Sequence, residues 1–286
     1  MTIHFSGIFS VGQWNTIPQI TNGSSVLDGL AKQLPDVLLS WKADNTQRKY
    51  RYAFNLWCKW SSLHNLSSLP ANHLHLALYL IHLSESAKSI SKIDEAIYAV
   101  SWAHKLAGFF DPCKSDTLQS VREGIHRKIG HCVNRKEPIS PEILKNIVHR
   151  YGSKTCNLLD LRIATMCLIS YSGFLRFSEL ANLKRSNISL TSTHMTLILE
   201  KSKTDVYREG RDVVISRTGL ETCPVHMLER YIKLAGISDT SQEFIFRSVY
   251  YCKSKNCYKL RNGGPISYTR AREVLLSALE SIGLDN

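Results

Sequence analysis

Apolar residues recur at three- and four-residue spacing along much of the chain, and this spacing predicts amphipathic helices. The clearest example follows Asp44 and Asn45, either of which can cap a helix. One face of that helix carries Tyr50, Ala53, Phe54, Trp57 and Trp60. Three more helices are predicted at about 72–84, 90–107 and 115–129, the last two ended by glycines. The pattern therefore predicts a four-helix unit within residues 28–137. Residues 1–27, rich in Gly, Ser, Thr and Asn, are predicted to be a loose leader.

The pattern changes at Pro138 and Pro141, which predict a linker and a domain boundary. Helices are predicted from Pro141 to about 150, at about 157–171, and from Arg176 to about 183. Apolar and β-branched residues at 195–200 and 212–215 flank a charged stretch, which predicts a β-hairpin. Helices at 224–235 and 268–282 complete this half. The predicted fold class is mainly α with a small β-hairpin or sheet, and the second domain, residues 138–286, is α+β.

Charge and composition narrow the function. The formal net charge is +12 and 43% of the residues are hydrophobic, which excludes a disordered chain and favours a polyanionic partner. Nucleic acid is the leading candidate partner and a membrane surface is the second, although the charge could equally serve solubility. No apolar stretch approaches the ~20 residues of a membrane span. No secretory signal is visible, and the eight cysteines are scattered without a CxxC. We therefore expect an intracellular protein, nuclear if the source is eukaryotic.

A metal site has weak support in the sequence. Cys223-x-x-His226 has plausible zinc-ligand spacing, but the accompanying Cys252-x4-Cys257 is looser than usual and lies among basic residues. Buried or idle thiols are the favoured interpretation. We predict neither a metal nor another cofactor.

Basic residues form several groups that could contact phosphate. Arg176 is predicted at a helix start with Glu179 one turn later, either as a phosphate ligand or as an ordinary surface ion pair. The predicted hairpin is either a nucleic-acid contact or a solvated loop. A later cluster of basic residues, nearer the end of the sequence, is more simply interpreted as a solvated face. The DNA-binding candidates are Arg48, Lys49, Arg51, Arg122, Arg127, Lys128, Lys201, Arg208 and Arg211. The later cluster comprises Lys253, Lys255, Lys259, Arg261, Arg270 and Arg272.

These motifs together resemble those of the tyrosine recombinases, or phage-integrase superfamily. Residues 173–180 match a Gly-x-x-Arg-x-x-Glu-Leu pattern, so the resemblance implies a catalytic role for Arg176 and an accessory role for Glu179. Ser-Lys-Thr at 202–204 is similar to the hairpin of the catalytic lysine, which implies Lys203, with Lys201 second. Residues 200–236 resemble Xer-like recombinases of animal genomes and mobile elements. The implied fold is a helical core-binding (SAM-like) domain joined to a catalytic domain, closing around double-stranded DNA.

The resemblance also implies a chemistry in which a tyrosine attacks a phosphodiester and is held in a 3′-phosphotyrosyl bond. Arginines stabilise the charge of the transition state and a lysine protonates the leaving oxygen. No His-x-x-Arg follows Lys203, since His226 precedes Met-Leu-Glu-Arg, and Tyr268 begins a predicted helix. We therefore expect a C-terminally truncated, catalytically incomplete member of the family. We also expect that the missing C-terminal segment weakens any homo-oligomer on DNA.

Other functions remain open at this point. One is a non-catalytic DNA-binding module derived from a mobile-element recombinase. A more distant one is an RNA-binding or scaffold protein.

Overall fold

The computed structural model describes residues 5–130, 137–200, 205 and 210–284. The chain divides into two compact units, Met1–Arg135 and Lys136–Asn286. Each unit has its own apolar core. The predicted class, mainly helical with small sheets, is confirmed.

The first unit is helical. The 16-residue helix Ser25–Ser40 was not predicted, and four other helices match those predicted from the apolar spacing. Gly108, with φ 74°, ends the third of them in the left-handed region that glycine adopts without strain. In chain order, the helices are α1 (Ile17–Thr21), α2 (Ser25–Ser40), α3 (Asp44–Leu63), α4 (His73–Ser84), α5 (Ser91–Ala107) and α6 (Asp116–Ile129).

Large side chains of α3, α4 and α5 fill the core of this unit. Phe54 and Trp57 of α3 are fully buried, as are Leu76 of α4 and Ile93 of α5. Burying one such side chain contributes about 1.5–3 kcal/mol. The indole Nε1 of Trp57 donates to the carbonyl of Ser68 at 2.9 Å, so its polar atom is also satisfied.

A buried histidine connects α5 to the segment before α4. The side chain of His104 is fully buried. Its Nδ1 lies 2.7 Å from the carbonyl oxygen of Val100, and its Nε2 lies 2.8 Å from the backbone nitrogen of Ala71. Because Nε2 accepts from Ala71, the ring is neutral with its proton on Nδ1. Burial lowers the pKa of His104, which agrees with a neutral ring.

The N-terminal segment packs on the helices, so the prediction of a loose leader at 1–27 is wrong where the structure describes it. Ile8 is fully buried, and the indole of Trp14 donates to the carbonyl oxygen of Leu106 at 2.8 Å. Gly12 has a φ of +62°, and a Cβ there would lie 2.1 Å from the carbonyl oxygen of Ala107. Two apolar anchors and one close backbone approach therefore fix this segment.

The second unit combines helices with two small antiparallel sheets. The helices are α7 (Pro141–Tyr151), α8 (Leu158–Ser172), α9 (Phe177–Ala181), α10 (Pro224–Ala235) and α11 (Tyr268–Glu280). The strands are β1 (Ile188–Leu190), β2 (His194–Leu199), β3 (Arg211–Ser216), β4 (Arg247–Cys252) and β5 (Cys257–Pro265). The first sheet has the order β1-β2-β3, and β2 with β3 is the predicted hairpin. The pair β4–β5 was not predicted.

Buried and more exposed residues alternate along β2, and the buried ones join the core of the second unit. Met195, Leu197 and Leu199 are buried and join a cluster that includes Leu168 of α8 and Leu228 of α10. The intervening β2 residues are more exposed, as expected of a sheet with one covered face. No helix in the described part of the chain has the length and apolar character needed to cross a membrane.

Candidate functional site

The Arg176 motif begins where α8 ends. Gly173 closes the helix by donating its N–H to the carbonyl of Ile169 at 2.9 Å. Phe174 follows with φ +49° and a side chain that is 93% exposed, and Leu175 turns back into the core. Arg176 then has extended backbone and begins α9 as its N-cap. A packed helix and a buried leucine therefore fix the position of Arg176.

Glu179 holds Arg176 at two points. One carboxylate oxygen accepts the backbone N–H of Arg176 at 2.8 Å, and the other accepts Nη1 of its guanidinium at 2.9 Å. The Glu179 side chain is only 4% exposed, whereas that of Arg176 is 49% exposed. This geometry excludes an ordinary surface ion pair, because the carboxylate is buried and also caps the helix. The guanidinium is oriented from within, and about half of the side chain still faces solvent.

The start of α11 lies beside this motif, a contact that the sequence analysis missed. The ring of Phe177 meets the ring of Tyr268 edge to face at 5.3 Å. Tyr268 is 63% exposed. Arg270, in the first turn of α11, is exposed and pairs with Glu273 at 3.2 Å. Tyr268 thus packs against Phe177, the residue that follows Arg176 in the chain.

A buried arginine connects α8 to β4. Arg162 is 1% exposed, and its Nη1 donates to the carbonyl of Arg247 at 2.7 Å. Burial lowers the pKa of Arg162, and the charge of Arg270 lowers it further. Arg247 is also buried and pairs with Glu243 at 2.9 Å. These contacts join α8 to β4 within the second unit, and the sequence analysis did not single out either arginine.

Only part of the β2–β3 hairpin can be placed. The predicted residues Lys201, Lys203 and Arg208 lie outside the described residues, so their predicted roles stay predictions. Arg211 begins β3 opposite Leu199 and is exposed. Glu200 directly follows β2, and its carboxylate accepts a hydrogen bond from the side-chain amide of Asn187 at 2.9 Å.

The basic candidates of the first unit differ in their surroundings. Arg122 is bound by two carboxylates, Asp94 and Glu123, each at 2.7 Å, and its hydrogen bond to Asp94 raises its pKa. The side chain of Arg122 is 25% exposed, so it offers fewer N–H donors to a phosphate than Arg176 does, and its predicted DNA contact stays a prediction. Lys49 pairs more loosely with Glu95 at 3.6 Å. The remaining candidates are all on the exposed surface: Arg48, Arg51, Arg127 and Lys128.

The β4–β5 hairpin is a basic surface that sequence reasoning treated as a solvated face. Residues 248–265 contain four Lys or Arg side chains and no Asp or Glu. Tyr250 and Tyr251 are exposed on it, and the Arg261 guanidinium lies 5.9 Å from the Tyr250 ring centre. A strand pair with cations and exposed aromatic rings is typical of nucleic-acid contacts.

The described residues contain no group of three or more His, Cys, Asp or Glu side chains that could hold a metal ion. The thiol of Cys223, one of the considered zinc ligands, instead accepts the backbone N–H of Thr218 at 3.4 Å.

Comparison with known proteins gives matches in sequence and in fold. The chain is 26% identical over 200 residues to an integrase/recombinase xerD homologue of Selenomonas ruminantium, covering 68% of this chain and 58% of that protein. It is 23% identical over 224 residues to the Cre recombinase of Escherichia phage P1, covering 77% of this chain and 64% of that protein. The chain thus spans about six-tenths of the length of these curated relatives. No family model matches the sequence.

The fold match is broader than the sequence matches. A crystal structure of the XerH site-specific recombinase, bound to a palindromic difH substrate in a post-cleavage complex, aligns with a TM-score of 0.57. The alignment covers 98% of this chain and 76% of that one at 13% identity. At this identity the match supports the fold.

Proposed function

We propose that this chain, which belongs to the tyrosine recombinase family, binds double-stranded DNA and uses Arg176 to contact a backbone phosphate. The observation that carries the proposal is the position of Arg176 at the start of α9. Its guanidinium is held by the buried Glu179 while half of the side chain faces solvent.

The geometry favours phosphate as the ligand of Arg176. A guanidinium presents a planar fork of N–H donors that matches two oxygens of a phosphate. Because Glu179 already fixes the side chain, binding orders little additional structure, and the entropic cost is small. The net charge of +12 and the acid-free β4–β5 hairpin add a sequence-independent attraction to DNA.

The relatives' names support recombination as the family activity, and we propose a narrower role for residues 1–286. Strand cleavage by family resemblance requires a tyrosine nucleophile and a His-x-x-Arg box. No His-x-x-Arg follows Lys203 in this sequence. These residues therefore bind DNA and supply Arg176, Glu179 and Lys203 of the site, but do not cut DNA by themselves.

A second candidate is a non-catalytic DNA-binding module derived from a mobile-element recombinase. The same sequence fact favours it, because DNA binding needs the basic surfaces and Arg176 but needs no nucleophile. In this case the function of the protein is DNA binding itself. Assembly into a homo-oligomer on DNA is part of either proposal and follows from the family resemblance.

The experiment measures binding of a fluorescently labelled duplex by anisotropy at low salt. Arg176→Ala is expected to weaken binding about 3- to 10-fold, the loss of one charge-assisted contact. Arg176→Lys keeps the charge but loses the fork, so it is expected to recover only part of the affinity.

The matched control is Arg217→Ala. Arg217 is bound by Glu229 through its two terminal nitrogens at 2.8 and 2.5 Å, and its loss removes the same charge from the surface. The control is expected to change affinity less than about 2-fold. Melting followed by circular dichroism identifies any variant that fails to fold. Equal losses for folded Arg176→Ala and Arg217→Ala would contradict a phosphate contact by Arg176.

A further inference from the structure

Two cysteines face each other at the end of the β4–β5 hairpin. Cys252 ends β4 and Cys257 begins β5, and the two are direct partners in the antiparallel register. Both are free thiols in the structure. Cys257 is exposed and Cys252 is partly exposed, so reagents in solvent can reach the pair.

The antiparallel register implies a Cα separation within the range of a disulfide. Directly opposed residues of antiparallel strands have Cα atoms about 4.5–5.5 Å apart, and disulfide-bonded cysteines have Cα atoms about 4.4–6.8 Å apart. The cross-strand position therefore allows a bond between the two sulfurs without separating the strands.

The turn between the cysteines is well organised. Asn256 has φ 46°, and its N–H donates to the carbonyl of Lys253 at 3.4 Å. The hydroxyl of Tyr251 donates to the side-chain oxygen of Asn256. The next register pair, Tyr251 and Tyr258, places its rings edge to face at 5.2 Å. These contacts hold the two strand ends opposite each other.

The surroundings of Cys252 favour reaction, unlike those of the core cysteines. Its sulfur lies 3.3 Å from the hydroxyl of Ser254. This hydrogen bond lowers the pKa of Cys252, as do the backbone N–H of Lys255 and the charge of Lys259. In contrast, burial raises the pKa of the core thiol of Cys58 to about 11. The thiolate is the reactive form, so Cys252 is the better nucleophile.

We propose that Cys252 and Cys257 are a thiol-modification site that forms a reversible intramolecular disulfide by exchange with a small-molecule disulfide such as oxidised glutathione. The Cys252 thiolate attacks one sulfur of glutathione disulfide. The S–S bond of glutathione breaks, and one glutathione thiolate leaves and takes a proton from water. Cys257 then loses its proton to water, and its sulfur attacks the Cys252 sulfur and displaces the second glutathione.

The reaction is balanced. Two protein thiols lose two electrons and two protons, and one glutathione disulfide becomes two glutathione molecules. Excess reduced glutathione reverses both steps. Such reversibility is the usual form of disulfide chemistry in reducing compartments.

The test uses the reduced 286-residue chain in glutathione redox buffers, followed by acid quenching, alkylation and tryptic digestion. Trypsin cuts after Lys253 and Lys255, between the two cysteines. The disulfide therefore appears as peptides 248–253 and 256–259 joined in one species. Because the second step is intramolecular, we expect this species to exceed the glutathione adduct of Cys252 by about tenfold or more.

Two variants complete the test, and a circular dichroism melt verifies that both are folded. Cys257→Ser is expected to abolish the joined peptides and leave only a glutathione adduct on Cys252. Cys156→Ser removes a partly exposed thiol of the same unit and is expected to give the joined peptides at the wild-type level. Wild-type protein that yields separate glutathione adducts at both positions, with no joined peptides, would overturn the proposal.

Discussion

The buried His104 makes the stability of the first unit depend on pH. The folded ring is neutral, because Nε2 accepts the Ala71 N–H and burial lowers its pKa. In the unfolded chain the pKa is about 6.5. Above that pH neither state carries the extra proton, and stability is complete. As the pH falls below about 6.5, the unfolded state gains a proton that the folded state resists, so stability is lost with acidification.

The size of the effect follows from linkage. Between pH 7.5 and 5.5 the contribution of His104 to the free energy of unfolding is expected to fall by up to about 1.4 kcal/mol. His104→Gln removes the titration but keeps a side-chain oxygen that can accept from Ala71. Between pH 7.5 and 5.5, the free energy of unfolding of the variant is therefore expected to fall by about 1.4 kcal/mol less than that of the wild type.

The assay is urea denaturation followed by tryptophan fluorescence. All five tryptophans lie in the first unit, so the signal reports the unfolding of that unit alone. His75→Gln, on α4 of the same unit, is the matched control and is expected to retain the wild-type pH dependence. If His104→Gln and wild type lose equal stability between the two pH values, the reasoning about His104 is refuted.

Three further predictions concern DNA and the N-terminal segment. If about six phosphates are neutralised, the logarithm of the DNA affinity should fall against the logarithm of salt concentration with a slope of about −5, and a slope near zero would refute the electrostatic argument. Gly12→Ala should destabilise the first unit by about 2 kcal/mol, because its backbone is left-handed and its Cβ would meet the Ala107 carbonyl, and urea denaturation measures this. No covalent protein–DNA adduct should appear on a denaturing gel. If one does appear, its loss in Tyr268→Phe would identify the nucleophile.

Local patterns predicted the helices well because their causes are local. The apolar spacing and the capping residues of α3 to α6 lie within a few positions of one another, and the structure has these helices at the predicted places. Residues 5–21 differ. The apolar residues Ile8 and Trp14 lie in a stretch with no clear helix or strand period, and Trp14 bonds to Leu106, which is 92 positions away. No window of sequence contains such a contact.

The sequence predicted which residues belong to the site, but it did not predict how these residues are arranged. The spacing of Arg176 and Glu179 indicated an interaction, while the burial of Glu179 depends on how α9 packs within the unit. The contact between Phe177 and Tyr268 joins residues about ninety positions apart. The β4–β5 pair was missed because adjacent tyrosines and Gly263-Gly264 interrupt the alternation that predicts a strand.

The contact between Glu179 and Arg176 links the stability of the fold to any measurement of ligand binding. The carboxylate of Glu179 accepts the backbone N–H and the guanidinium of Arg176, so this arginine helps α9 to form whether or not a ligand is present. A substitution at position 176 therefore changes the stability of the second unit as well as its affinity for DNA. The two effects are separated only when affinities are compared at equal fractions of folded protein.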